Sequence, residues 1–103
     1  MANIKLGFIP THPGEVLKDE IEYRKLSQSK LAKQIGISYK ILNDILNERR
    51  PVTTTSAMMF EAALGIPAYS LINIQTQYNL HIANNDKSFA IRLAEIRRMA
   101  VML

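Results

Sequence analysis

Tyr39, Lys40, Asn43 and Asn47 fall on one side of a helical register, with Ser38 just before them and Arg49 and Arg50 just after. Their chemistry is recognition rather than bond cleavage. An asparagine amide offers a donor and an acceptor side by side, which matches the edge of adenine. A lysine can donate to guanine or to a phosphate. The paired arginines suit phosphate oxygens, where charge rather than shape is required. Ile41 is expected on the same outer side, where an apolar group could meet a thymine methyl.

The elements that must present these groups are written around a single glycine. Ser27 can cap a first helix by accepting a backbone N–H, and Leu31, Ala32 and Ile35 share its buried face. Gly36 then ends that helix in a conformation that only glycine adopts without steric cost. Ile37 plugs the corner, Ser38 caps a second helix, and Leu42, Ile45 and Leu46 turn toward the core. The stretch from Leu26 to Asn47 therefore reads as a helix-turn-helix, with its second helix available to a major groove. Tyr39, Lys40 and Asn43 are expected to read bases. Ser27, Gln28, Lys30, Ser38, Asn47, Arg49 and Arg50 are expected to place the protein on the backbone of double-stranded DNA. The plainer alternative is a helical hairpin that only fills a core.

Charge supports the first reading. Arg24 to Arg50 holds seven basic residues against Asp44 and Glu48, whereas Pro13 to Tyr23 holds four acidic residues against Lys18. The positive excess thus coincides with the motif, as phosphate contact requires. The 103 residues, 48% hydrophobic and 21% charged, fit one folded domain. There is no cysteine, so neither disulfides nor thiolate chemistry arise, and a reducing cytoplasm is the expected compartment. No apolar run reaches the roughly 20 residues that span a bilayer, and the first ten residues do not read as a signal peptide.

Catalysis is not expected. The two histidines, His12 and His81, are not paired at ligand spacing, and the four glycines form no phosphate-cradling loop. No metal or cofactor is implied.

Along the chain, five or six helices are expected. The first begins at Pro13, runs to Tyr23 or Arg24, and buries Val16, Leu17 and Ile21. After Pro51 breaks the chain, Thr53, Thr54 and Thr55 offer caps for a fourth helix ending at Leu64, with Ala57, Met58, Phe60, Ala63 and Leu64 available to the core. Gly65-Ile66-Pro67 separates it from a fifth helix running from Ala68 to about Ile82. Asn84-Asn85-Asp86 marks a break before a C-terminal helix.

His12-Pro13-Gly14-Glu15, the run LSQSKLAKQIGIS, Ala57, Ala63-Leu64-Gly65, Leu71 with Gln75, and Tyr78 with Leu80 together resemble the HigA (VapI-like) antitoxins. These belong to the XRE, or phage-repressor-like, helix-turn-helix class, and the resemblance covers about residues 12 to 80. It implies a helical DNA-binding protein. Together with the reading along the chain, an all-α, five-helix domain is expected over residues 12–82, with an N-terminal extension (1–11) and a C-terminal helical extension (83–103) outside the resemblance. It also implies a homodimer that represses its own operon by binding operator DNA and neutralises a HigB-like toxin, a RelE-like mRNA-cleaving ribonuclease. A stand-alone repressor of the same class is the alternative. The family commonly carries Asn-Gly-Lys/Arg after the recognition helix, where this chain has Asn47-Glu48-Arg49; Asn47 is expected to take the left-handed conformation instead. The family's aromatic pair is here Tyr69-Ser70.

Partner surfaces are expected toward the C-terminus. Between Pro51 and Asn85 Glu61 is the only charged residue, a depletion that interface cores show. Tyr69, Leu71, Ile72 and Ile74 are the expected dimer contact, with intramolecular core as the alternative for each. Phe89, Leu93, Ile96, Ala100 and Leu103 repeat at heptad spacing and suit a dimer or toxin contact, with packing onto the domain itself as the alternative. At the other terminus Ile4, Leu6 and Phe8 alternate with polar residues or glycine, as a short strand would, although an unstructured tail is the commoner state of a terminus.

Overall fold

The computed structural model describes residues 10–103, in which the chain forms six helices: α1 (Pro13–Tyr23), α2 (Gln28–Ile35), α3 (Tyr39–Leu46), α4 (Thr54–Leu64), α5 (Ala68–Asn84) and α6 (Lys87–Ala100). No strand is present among the described residues, and the alternating segment Ile4–Phe8 lies outside them.

Four residues start α1 and determine where it lies. The His12 Nδ1 atom accepts the Gly14 N–H at 2.9 Å, Pro13 occupies the first turn where no N–H partner is needed, and Glu15 faces the positive end of the helix. Gly14 lies against α3 so closely that a Cβ there would stand 1.9 Å from the carbonyl oxygen of Ile45. His12 itself is 3% exposed and meets Tyr78 of α5 edge-on, with ring centroids 4.8 Å apart. Burial pushes its pKa below the ordinary histidine value, with Glu48 partly opposing the shift. Both the burial and the accepting role of Nδ1 favour the neutral ring.

Side chains also cap α2, α3, α4 and α6 as their types suggest, whereas α5 starts after Pro67 with no side-chain cap. Ser27, Ser38, Thr53 and Asp86 each accept a backbone N–H from the first turn of α2, α3, α4 and α6, and Thr53 forms a reciprocal capping box with Ser56. Gly36 ends α2 at φ 82°, in the left-handed region expected for it. The end of α3 differs from expectation: Asn47 has φ −101°, and Glu48 takes the left-handed conformation at φ 64°. The hydrogen bonds give the reason. Glu48 N–H donates to Ile45 and Arg49 N–H to Asp44, a Schellman closure whose left-handed residue must come one position after the cap. The Asn47 amide instead folds back and donates to the Asn43 carbonyl at 2.9 Å.

The core gathers Leu17 and Ile21 from α1, Leu31 and Ala32 from α2, Leu42, Ile45 and Leu46 from α3, Ala57, Phe60 and Leu64 from α4, with Val52 and Leu71. Phe60, at 0% exposure, lies at its centre, and a side chain of that size contributes roughly 1.5–3 kcal/mol by burial. Two polar links hold the layers in register. Gln75 of α5 accepts the Val52 N–H at 2.8 Å, and Arg24 donates to the Leu64 carbonyl at 2.7 Å, joining the ends of α1 and α4.

Four apolar assignments change. Ile41 packs against the core instead of facing outward, because both α1 and α2 lie against α3 and widen its buried stripe. Met58 is 61% exposed; the inner face of α4 is the Ala57, Phe60, Leu64 stripe, from which Met58 is turned away. Leu71, expected at a dimer contact, is fully buried within the chain's own core, and Ile72 packs against that core. Val16 and Ile35 are half-buried.

The C-terminal elements extend away from this core. The described chain measures 55 × 27 × 21 Å with a radius of gyration of 17.2 Å. A compact chain of this length would have about 13 Å. α6 lies against α5, and none of its residues is buried. Leu103, the last residue of the expected heptad seam, falls beyond the end of α6.

Replacing Gly14 by alanine should cost roughly 1–3 kcal/mol in denaturant unfolding, because the added methyl must push α1 and α3 apart; an unchanged midpoint would refute the close contact. Glu48→Gly should act oppositely, raising stability by about 1 kcal/mol by removing the left-handed strain. A lower melting temperature in that variant would contradict the assigned backbone.

Candidate nucleic-acid interface

A helix can read a groove only if its outer face is held firmly from behind, and α3 is so held. Leu42, Ile45 and Leu46 anchor it, α1 and α2 flank it, and the Gly36 turn sets it across α2. Its N-terminal end is open. Tyr39 is 51% exposed, Lys40 extends into solvent, and Ser38 Oγ accepts the Ile41 N–H at 3.1 Å. The free N–H groups and the helix dipole make this end attractive to phosphate and to acceptor atoms.

The side chains along α3 form one connected polar set. Asn43, half-buried, points its Nδ2 at Gln28 Oε1 of α2 at 3.5 Å and accepts from Arg49 Nη2 at 3.1 Å. Asp44 lies at the centre of the cations. Its carboxylate accepts from Lys40 Nζ at 3.1 Å and from Arg49 Nε at 3.3 Å, and the Arg50 guanidinium comes to 3.9 Å. The Lys40 hydrogen bond is the main cause that holds the Asp44 carboxyl below its ordinary pKa, with Arg49 adding to it. Each of these ion pairs is exposed on its cationic side, so an incoming phosphate can compete for the same donors.

Most of the expected groups therefore converge. Gln28, Tyr39, Lys40, Asn43, Arg49 and Arg50 share the face built by α3 and the start of α2. Lys30 is exposed one turn along α2. Ser27 and Ser38 have their oxygens occupied by capping, yet each keeps a hydroxyl proton that can still be donated. Asn47 is exposed at the end of α3, with its amide already bonded to the helix.

Two residues play parts that the sequence reading did not assign. Asp44 counted there only as an offsetting charge, whereas it is the common counter-ion of three cations, accepting from Lys40 and Arg49 with Arg50 nearby; its (i, i+4) spacing from Lys40 was the available clue. Arg24, counted with the positive excess, pairs with Glu20 and supports the α1–α4 junction away from this face.

The groups expected at protein contacts divide. Leu71 and Ile72 belong to the core region, while Tyr69 at 76% exposure, Phe89 at 41% and Ile96 at 53% are open, and Ile74 and Leu93 are half-buried. Among the described residues no group of three histidines or carboxylates could hold a metal, and no helix is long and apolar enough to cross a membrane.

Comparison with known proteins gives a consistent picture. Residues 17–71 match the helix-turn-helix family HTH_3. Virulence-associated protein I of Dichelobacter nodosus is 38% identical over 77 residues, spanning 74% of this chain and 71% of that protein. Among solved structures, PA4674 from Pseudomonas aeruginosa in complex with its 18-base-pair operator DNA superposes with a TM-score of 0.69 and 32% identity, covering 80% of this chain and 91% of that one. An addiction module antidote protein of the HigA family from Coxiella burnetii gives a TM-score of 0.73 at 28% identity, covering 85% and 95%.

Proposed function

Because the chain belongs to the HTH_3 helix-turn-helix family, alongside HigA and virulence-associated protein I, we propose that it is the antitoxin of a HigBA-like pair, which binds operator DNA, represses its own operon and neutralises a RelE-like mRNA-cleaving toxin. The observation that carries the DNA half is the open N-terminal end of α3, where Tyr39, Lys40 and Asn43 stand beside Arg49 and Arg50, on a chain with a relative solved on its operator. The antidote name of the Coxiella burnetii structure supports the toxin half.

A homodimer would present two copies of α3 to successive major grooves, with half-sites about 34 Å apart or a multiple of that. Tyr69, Ile74, Phe89, Leu93 and Ile96 supply its contact, since they are open or half-open apolar groups on the elements that extend from the core. Tyr39, Lys40 and Asn43 discriminate bases. Ser27, Gln28, Lys30, Ser38, Asn47 and Arg50 settle the backbone.

In gel-shift titrations at several salt concentrations, Arg50→Ala should weaken binding on all sequences and lower the salt slope by about 1 per protomer. An unaltered slope would remove Arg50 from the phosphate contacts. Deleting residues 87–103 should lower the sedimentation mass of the dimer or abolish co-purification with the product of the adjoining reading frame. If the full-length chain sediments as a monomer at micromolar concentration, the dimer is wrong. If no neighbouring product co-purifies with the full-length chain, the reading contracts to a lone repressor.

A further inference from the structure

Asparagine is an ambiguous reader. Its amide is nearly symmetric in shape but has an acceptor at one end and donors at the other, so a half-turn about the last side-chain bond reverses the pattern it shows a base. Adenine in the major groove asks for a donor toward N7 and an acceptor toward the N6 amine, in that order along its edge. Something must therefore fix which way the Asn43 amide faces.

Gln28 cannot do this alone. Its own amide can reverse as readily, and its contact with Asn43 is long at 3.5 Å. Arg49 can, because a guanidinium has donors only. With Nη2 3.1 Å from Asn43, it admits the oxygen at that place and excludes the amine. Arg49 is held in turn from two sides: its Nε donates to Asp44 at 3.3 Å, and the left-handed turn at Glu48 returns its backbone N–H to the Asp44 carbonyl at 2.8 Å. The planar fork that reaches Asp44 and Asn43 at once has no counterpart in a lysine ammonium. One lone pair on Oδ1 and one N–H on Nδ2 of Asn43 remain for a base.

We propose that Arg49 is a positioning residue for sequence discrimination, setting the orientation of the Asn43 amide through its contact with Oδ1 while Asp44 holds the guanidinium in place. This differs from the phosphate clamp expected from its place after α3, and it rests on the reading that α3 meets base edges. It makes the run Asn43-Asp44 with Arg49 a single unit: Asn43 touches the base, Arg49 orients it, and Asp44 anchors Arg49. Arg50, which makes no contact with Asn43, stays outside that unit.

The test uses the full chain with a pool of random-sequence DNA duplexes, sequencing the bound fraction at several salt concentrations. Asn43→Ala identifies the base pair that Asn43 reads. Arg49→Lys, which keeps the charge, should flatten preference at that same base pair by roughly tenfold and leave other positions and the salt slope as they were. Arg50→Lys should keep the preference, and Arg49→Lys added to Asn43→Ala should change that base pair no further. The proposal is overturned if Arg49→Lys retains the preference, if it weakens all sequences evenly, or if it adds to Asn43→Ala at that position. A natural chain that shows no preference for any sequence, by contrast, rejects the groove-reading function itself.

Discussion

The backbone of α1 reaches the backbone of α3 where Gly14 lies against the carbonyl of Ile45, and the position of the recognition face follows from that approach. The contact leaves no room for a methyl group, so the distance between the two helices is set by main-chain atoms rather than by adaptable side chains. His12 caps α1 from one side of this point and meets Tyr78 from the other, bringing α5 into the same junction. The left-handed turn at Glu48, just beyond Ile45, closes α3 and sends the chain back toward Asp44. Helix start, helix crossing and helix exit thus meet within one small region behind the open face of α3.

On the outer face the controlling feature is the reverse of a free positive patch. Lys40, Arg49 and Arg50 converge on the Asp44 carboxylate, which orders long side chains that would otherwise lose conformational freedom only on contact with DNA. The Lys40 and Arg50 pairs are exposed and individually weak, so phosphate can displace the carboxylate from them at small cost. The same carboxylate orients Arg49 toward Asn43. A residue that subtracts from the net charge therefore arranges the charges that remain.

Beyond α4 the chain changes character. α5 begins in the core, with Leu71 and Gln75 buried, and ends outside it, and α6 has no buried side chain. Exposed apolar residues continue along both elements, from Leu80 and Ile82 to Phe89 and Ile96. This is why the C-terminal elements, rather than the helix-turn-helix, carry the proposed protein contacts.

Local chemistry was legible in the amino-acid sequence. The caps at Ser27, Ser38 and Thr53, the glycine turn at Gly36, the start of α1 at Pro13 and the break around Asn85 all depend on a residue's own conformational preferences and those of its neighbours, and each lies where those preferences put it. What needed the tertiary structure was anything decided by a distant partner. Ile41 turned inward because α1 and α2 both press on α3, and Leu71 entered the core because α5 crosses it. The left-handed exit moved from Asn47 to Glu48 because hydrogen-bond closure outranked residue preference. The Lys40–Asp44 pair follows from helical spacing, but the arrival of Arg49 and Arg50 at the same carboxylate depends on the turn after α3, which spacing along the chain does not encode. The sequence by itself determined the helices, their caps and the polar groups that α3 carries at its open end, since these rest on local energetics. Only the tertiary structure decided how those groups hold one another, because that depends on where a packed core places the ends of its helices.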